Sequence, residues 1–222
     1  MLERINENDH LLHNLWMSDE AHFHLSGYVN KQNFRYWSDN NPRRLHERPL
    51  YSEKVTVWCA ISSLGIIGPY FFEDEDGHAV TVNSDRYVHM LNNFFLPAIE
   101  NYRNEHTTFQ QDGATCHTSR VSMDLLRRSF PTRLVSKYGD ISWPPRSPDL
   151  TLCDNFLWGY LKSKVFQSNP PRTIEALKER IRQEVEAIPQ QTLLNVVNSF
   201  VPRLQECVRQ NGGHLSNIIF KY

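Results

Sequence analysis

Three aspartates stand where the surrounding pattern calls for apolar residues, and a carboxylate in apolar surroundings is a candidate for chemistry. Asp19 lies in a stretch, 11–24, whose residues alternate. Read as a strand, Leu15, Met17, Asp19, Ala21 and Phe23 share one face, and Trp16, Ser18, Glu20, His22 and His24 the other. Burying an unpaired carboxylate is costly, so Asp19 must be paired, protonated or bound to a cation. Its structural alternative is an Asp paired with Arg or capping a turn. Asp112 closes an extended run, 107–111, which Asp112-Gly113 breaks because glycine readily takes the angles of a sharp turn. An acid where a strand ends in an α/β sheet is well placed for chemistry. Asp154 falls inside a helical pattern beginning near 149–151 and running to about 165, on the face of Leu150, Leu157 and Leu161. Asp149 has an ordinary role as the cap of that helix. Asp154, inside it, has none.

Carboxylates from separate elements that converge on one spot repel each other, and hard divalent cations make the arrangement tolerable. Oxygen ligands suit Mg²⁺ or Mn²⁺. Two such ions activate a water or a 3′-hydroxyl and stabilise the attacking and leaving oxygens at a phosphodiester. His117, close after Asp112, is placed to orient substrate or a water near the ions; its alternative is a turn histidine bonded to backbone. Other ligand sets are poorer. His22-x-His24 and His10-x-x-His13 lack the remaining ligands of a zinc site. The acidic run 73–77 lacks the spacing of an EF-hand and reads as a solvated turn.

The 222 residues suffice for one domain with a sizeable core, and a hydrophobic content of 40% argues against disorder. A formal net charge of −1 excludes nucleic-acid binding by bulk charge alone but leaves room for a local basic face. Candidates for such a face are Arg43, Arg44 and Arg48 in the polar loop 38–52, and Arg146 in the proline-rich stretch 137–148. Cys59, Cys116, Cys153 and Cys207 form no C-x-x-C pair and read as reduced thiols of an intracellular protein. No apolar run approaches the roughly 20 residues that cross a bilayer, and residues 1–10 are too polar for a signal peptide.

The elements that must position the acids follow from periodicity. Strands are expected over 11–24, 27–37 and 54–62, with a hairpin-like return over 64–72 and short strands over 107–111 and 131–135. Helices are expected over 83–101 (capped by Ser84 or Asp85), 119–130, the Asp154 segment, 173–188, and 190–211 with a break near Pro202. An apolar tail, 218–220, is expected to pack back on the domain. Antiparallel strands come first; later crossovers imply parallel pairing. With one acid on the first strand, one at the end of a later strand and one on a later helix, the layout is that of an RNase H-like domain. It would be α/β, a mixed five-stranded sheet flanked by helices, with a core over about 11–165 and additional C-terminal helices over about 170–222.

The sequence resembles the catalytic domain of Tc1/mariner transposases of the DDE/D class over nearly the whole chain. The likeness is carried by Ser18-Asp19-Glu20-Ala21-His22-Phe23 with Gly27-Tyr28-Val29-Asn30, by Val57-Trp58-Cys59-Ala60-Ile61, by Gln111-Asp112-Gly113-Ala114 with His117, and by Ser147-Pro148-Asp149-Leu150 with Cys153-Asp154 and Phe156-Leu157-Trp158. Each is weak alone; their order is specific. The resemblance implies metal-dependent DNA cleavage and strand transfer, with Asp19, Asp112 and Asp154 holding two Mg²⁺ or Mn²⁺ ions. The third acid is Asp, as in mariner-type members. The 41 residues between Asp112 and Asp154 exceed the usual mariner spacing, the extra length falling in 136–145, expected to be a loop. The resemblance also implies double-stranded DNA as partner, a homodimer in the DNA complex and a nuclear location. Arg43, Arg44, Arg48 and Arg146 are the candidate contacts to DNA or a partner, and 38–49 corresponds to a loop that clamps the partner subunit. Such transposases carry N-terminal helix-turn-helix domains, for which nothing before Asp19 is long enough. The competing expectations are a domesticated, non-catalytic domain that binds DNA or dimerises, and a nuclease acting on RNA–DNA hybrids.

Overall fold

Alternation along β1 (Leu15–His24) divides the core in two. Leu15, Met17, Ala21 and Phe23 pack with Val55, Val57, Cys59 and Ile61 of β2 (Lys54–Ser62) on one side of the sheet. Trp16 packs with Trp58, Ala60, Phe95, Phe109 and Phe130 on the other. That is the parity expected from sequence, and it follows from the two-residue period of an extended chain. The computed structural model describes residues 1–27, 53–144, 146–213 and 215. The strand expected over 27–37, the arginines Arg43, Arg44 and Arg48, and the tail 218–220 lie outside the described residues, apart from Gly27.

The sheet adds β3 (Gly65–Phe71), β4 (Thr108–Gln110), β5 (Leu134–Ser136) and β6 (Ile141–Ser142), in the order β3-β2-β1-β4-β5-β6. β3, β2 and β1 are antiparallel; β1, β4, β5 and β6 run parallel. Six strands replace the five expected, because part of the presumed loop 136–145 pairs with β5. Two local contacts account for it. The Asp140 carboxylate accepts from Leu134 N at 3.1 Å, and Trp143 N donates to Ser136 O at 3.0 Å, with the Trp143 side chain buried.

The helices differ from expectation mainly at their ends. The polar N-terminus forms α1 (Leu2–Glu7) and α2 (Asp9–His13), which bury Ile5 and Leu11 against the core. Asn83, rather than Ser84 or Asp85, caps α3 (Ser84–Met90), its side chain accepting from Arg86 N at 2.9 Å. A wide π-helical turn over Leu91–Phe95 then leads into α4 (Leu96–Ile99). α5 (Arg120–Ser129) is capped by Ser119 and covers the Phe109 side of the sheet. α6 (Trp158–Val165), α7 (Ile174–Glu186), α8 (Gln190–Asn198) and α9 (Phe200–Arg209) cover the opposite side, adding Leu161, Leu177, Ile181, Val196 and Phe200 to the β1–β2 core. The break between the last two falls at Ser199. Pro202 sits in the first turn of α9, where a missing N–H costs little.

Phe109 anchors β4, fully buried, with its ring tilted against Phe95 at 4.7 Å and stacked on Phe130 at 5.4 Å between centroids. Phe109→Ala should cost about 3–5 kcal/mol, whereas Val208→Ala, on the exposed side of α9, should cost under about 0.5 kcal/mol. Urea denaturation of the two variants beside the parent chain checks both.

Candidate active site

Strand register brings the first two acids together. β1 and β4 are parallel with Met17 beside Gln110. Asp19 lies two residues beyond Met17 on β1, and Asp112 two residues beyond Gln110, so the register carries both acids to the same edge of the sheet. Asp112 lies just beyond the end of β4, at the carboxyl edge of the parallel strands. The turn that follows is closed by the acid itself, since Asp112 Oδ1 accepts from Ala114 N at 2.9 Å. The carboxylate fixes the turn, and Gly113 does not take the left-handed backbone that only glycine readily adopts.

The turn carries His117 back under Asp112. Its Nδ1 lies 2.5 Å from Asp112 Oδ1 and its Nε2 lies 3.1 Å from Glu20 Oε1. The imidazole is buried, with the Tyr87 ring 4.3 Å away between centroids. Tyr87 donates to Gln111 Oε1 at 2.8 Å, and Gln111 Nε2 donates to the His117 carbonyl at 2.9 Å. His117 is therefore bonded to side chains, and the expectation of a turn histidine bonded to backbone does not describe its ring. Glu20 was not legible as a site residue. Its face of β1 was known from alternation, but its partner is 97 positions away in sequence.

The third acid enters from a helix. Asp154 belongs to a π-helical turn, Cys153–Leu157, that precedes α6; the regular helix expected from 149–151 begins only at Trp158. Thr151 Oγ1 donates to Asp154 Oδ2 at 2.7 Å. One helical turn on, Trp158 Nε1 donates to Asp19 Oδ2 at 2.8 Å. One more turn brings Lys162, whose ammonium lies 5.5 Å from the Phe23 ring centre. Asp154, Trp158 and Lys162 thus share one face at a spacing of four. Of these, sequence singled out only Asp154 as an acid of the site.

Charge is unevenly compensated. Burial, then the charges of Asp154 and Glu20, push the Asp19 carboxyl well above the usual range, against the pull of the Trp158 N–H. Burial likewise raises Asp154, with the Asp112 charge adding to it and Thr151 opposing. Burial opposes ionisation of Asp112 too, but the His117 hydrogen bond and charge and the Ala114 N–H outweigh it and leave it below the usual range. Burial disfavours the His117 cation, yet the Glu20 charge and the Asp112 bond prevail and raise it well above an ordinary histidine. Lys162 is lowered by burial while Asp154 and Asp19 hold it up.

The three acids meet at one edge but not in one coordination sphere. Among the described residues, the set of three ligand atoms lying within 4.8 Å of one another is the exposed trio Asp74, Asp76 and His78. There Asp74 Oδ1 accepts from Asp76 N at 3.1 Å and His78 N at 2.9 Å, the bonding of an ordinary surface turn. Arg146 is exposed, with its backbone in the left-handed region at a φ of 59°. His22 bonds Thr56 Oγ1 at 3.1 Å, and His10 stacks on His106. All four cysteines are free thiols. No helix among the described residues is long and apolar enough to cross a membrane.

No protein-family model matches the chain. The Tc3 transposase of Caenorhabditis elegans is 29% identical over 202 residues, which is 90% of this chain and 56% of that protein. The chain therefore spans little over half the length of that curated relative. The crystal structure of the catalytic domain of Mos1 mariner transposase superposes with a TM-score of 0.69 at 18% identity, over 96% of this chain and 89% of that one. A Mos1 transposase paired-end complex with the left transposon end gives a TM-score of 0.73 at 20% identity, over 96% of this chain and 59% of that one. At such identities these structures establish the fold, which is RNase H-like. The chain is thus similar to Tc3 transposase in sequence and shares its fold with the catalytic domain of Mos1 mariner transposase.

Proposed function

We propose that this chain is the catalytic part of a transposase, cutting DNA strands and joining the cut ends to a target, with two divalent metal ions held by Asp19, Asp112 and Asp154. The observation that carries this is the excess of buried negative charge. Asp154 raises the proton affinity of Asp19, Asp112 raises that of Asp154, and Lys162 is the cation beside Asp19 and Asp154. The donors are oxygens only, which fits Mg²⁺ or Mn²⁺. When bound, such ions supply Lewis-acid activation of a water or 3′-hydroxyl and stabilise the oxygen that leaves.

The chain's own residues prepare the ligands. Ala114 and His117 hold Asp112 through Oδ1, which leaves Oδ2 for a cation. Glu20 holds His117 from its other nitrogen, so the ring cannot turn away. Thr151 fixes Asp154 through Oδ2, and Oδ1 is the oxygen it presents. Double-stranded DNA is the substrate in this reading, and the fold shared with a Mos1 complex that contains a transposon end supports it. Arg146, with Arg43, Arg44 and Arg48 outside the described residues, would contact DNA or a second copy in a dimer. Work on chromosomal DNA would place the protein in the nucleus.

Titrating Mn²⁺ calorimetrically into the parent chain and into Asp112→Asn tests the metal site. Binding should be present in the first and at least about tenfold weaker in the second. Equal binding would remove Asp112 from the site. A folded parent chain that binds no Mn²⁺, with or without a short DNA duplex, would favour the domesticated, non-catalytic alternative.

A pH series on the metal-free chain tests the electrostatics. Asp19 and Asp154 bind protons more tightly folded than unfolded. Stability should therefore fall as pH rises from the unfolded carboxyl value, near 4, through their raised folded values. Mn²⁺ affinity should rise over the same window, because the ion displaces those protons. Asp19→Asn removes the buried charge while keeping an acceptor for Trp158. It should raise the metal-free Tm at neutral pH by about 3 °C, the equivalent of roughly 1 kcal/mol, and abolish the further rise that Mn²⁺ gives the parent chain.

A further inference from the structure

We infer that Trp158 is a positioning residue that holds Asp19 to one free oxygen and so makes the site favour Mg²⁺ and Mn²⁺ over Ca²⁺. The inference rests on the metal reading above. Its observation is the hydrogen bond from Trp158 Nε1 to Asp19 Oδ2 at 2.8 Å, between β1 and α6. The indole is 3% exposed and edge-on to Phe23, with 6.3 Å between ring centres, so it has little freedom to swing aside. Its backbone is anchored as well. Cys153, at the start of the same helical segment, donates through Sγ to the Met17 carbonyl at 3.4 Å, two residues before Asp19 on the same strand.

The bond is not a by-product of packing tryptophans. Trp16 and Trp58 are buried more completely, and both leave their indole N–H without a partner. Of these three, Trp158 alone aims its N–H at a charged acceptor, and that acceptor is an acid of the site. An indole can donate but cannot accept or take up a proton. It therefore fixes one carboxylate oxygen without competing for the cation.

The chemical consequence lies in how many oxygens remain. With Oδ2 engaged, Asp19 has Oδ1 to give. Mg²⁺ demands compact octahedral ligation, whereas Ca²⁺ takes six to eight oxygens and commonly uses both oxygens of one carboxylate. A carboxylate held to a single free oxygen suits the smaller ion. Releasing Oδ2 would let Asp19 rotate and chelate, and the larger ion would gain from that.

The test replaces Trp158 with 3-benzothienylalanine, which keeps the ring shape and carries sulfur in place of N–H. Trp158→Phe serves as a second variant. Mn²⁺ and Ca²⁺ are titrated calorimetrically into each folded chain, alongside Asp112→Asn. In the sulfur isostere Mn²⁺ should bind about tenfold more weakly, with Ca²⁺ binding unchanged or tighter, so the Mn²⁺-to-Ca²⁺ preference falls at least as much. The Tm should stay within a few degrees of the parent. An unchanged preference in the isostere overturns the inference while leaving the metal site intact, provided Asp112→Asn has lost binding. Equal weakening of both ions also overturns it, because that is the mark of a merely structural role. A parent chain that binds neither ion overturns this inference together with the reading beneath it.

Discussion

Like charges gathered at one poorly solvated edge are the constraint on which the rest of this structure turns. One acid lies on β1, one just beyond the end of the parallel strand β4, and a third arrives on a helix, and burial penalises the ionised form of each. A fold gains nothing in stability from such a group, since buried charges without partners oppose folding. The sheet must therefore be held by other means. The two apolar layers that Leu15, Met17 and Phe23 face on one side, and Trp16 and Phe109 on the other, supply them. Neighbouring groups meet part of the cost. The acids meet donors from different sources: an indole and the Glu20 amide for Asp19, a backbone amide and an imidazole for Asp112, a hydroxyl for Asp154.

The three donors are not equivalent, and the difference divides the site. His117 carries charge, so Asp112 is compensated and stays ionised at lower pH than an ordinary Asp. Trp158 and Thr151 are neutral, so Asp19 stays raised by burial and the Asp154 charge, and Asp154 by burial and the Asp112 charge. Glu20 maintains the asymmetry from the far face of β1 by stabilising the His117 cation. The demand for positive charge is thus concentrated between Asp19 and Asp154, near Lys162.

What sequence revealed of this arrangement depended on local periodicity. The parity of β1 placed Asp19 on an otherwise apolar face, and the break after Gln111 placed Asp112 at a strand end; both are properties of a few consecutive residues. Asp154 stood out for the same reason, though the wide turn that carries it did not. A π-helical turn adds a residue without changing residue types, and so leaves little trace in a pattern of apolar spacing. β6 was missed because two residues are too few to show alternation, and its pairing depends on Asp140 and Trp143. The helices α1 and α2 read as a polar tail because Ile5 and Leu11 are buried by packing rather than marked by a long stripe. Glu20, Thr151 and Lys162 joined the site only once distant segments were brought together.

Two of the acids are set by sheet register and one by helix docking, and that difference decides where precision must be supplied. The parallel ladder of β1 and β4, which ends at Met17 and Gln110, sets the approach of Asp19 and of Asp112 just beyond it. Asp154 has no such guarantee, because a helix lying on a sheet can slide and turn while keeping its apolar contacts. The links across that boundary are few and specific. Cys153 reaches the Met17 carbonyl and Trp158 reaches the Asp19 carboxylate, one on each side of Asp154 in sequence and both ending on β1. They pin the helical segment on either side of the acid it delivers, to the strand that carries the acid it must face. A site whose spacing matters to an ion needs its least constrained ligand held in this way, by bonds to the neighbouring ligand's own strand rather than by apolar packing alone.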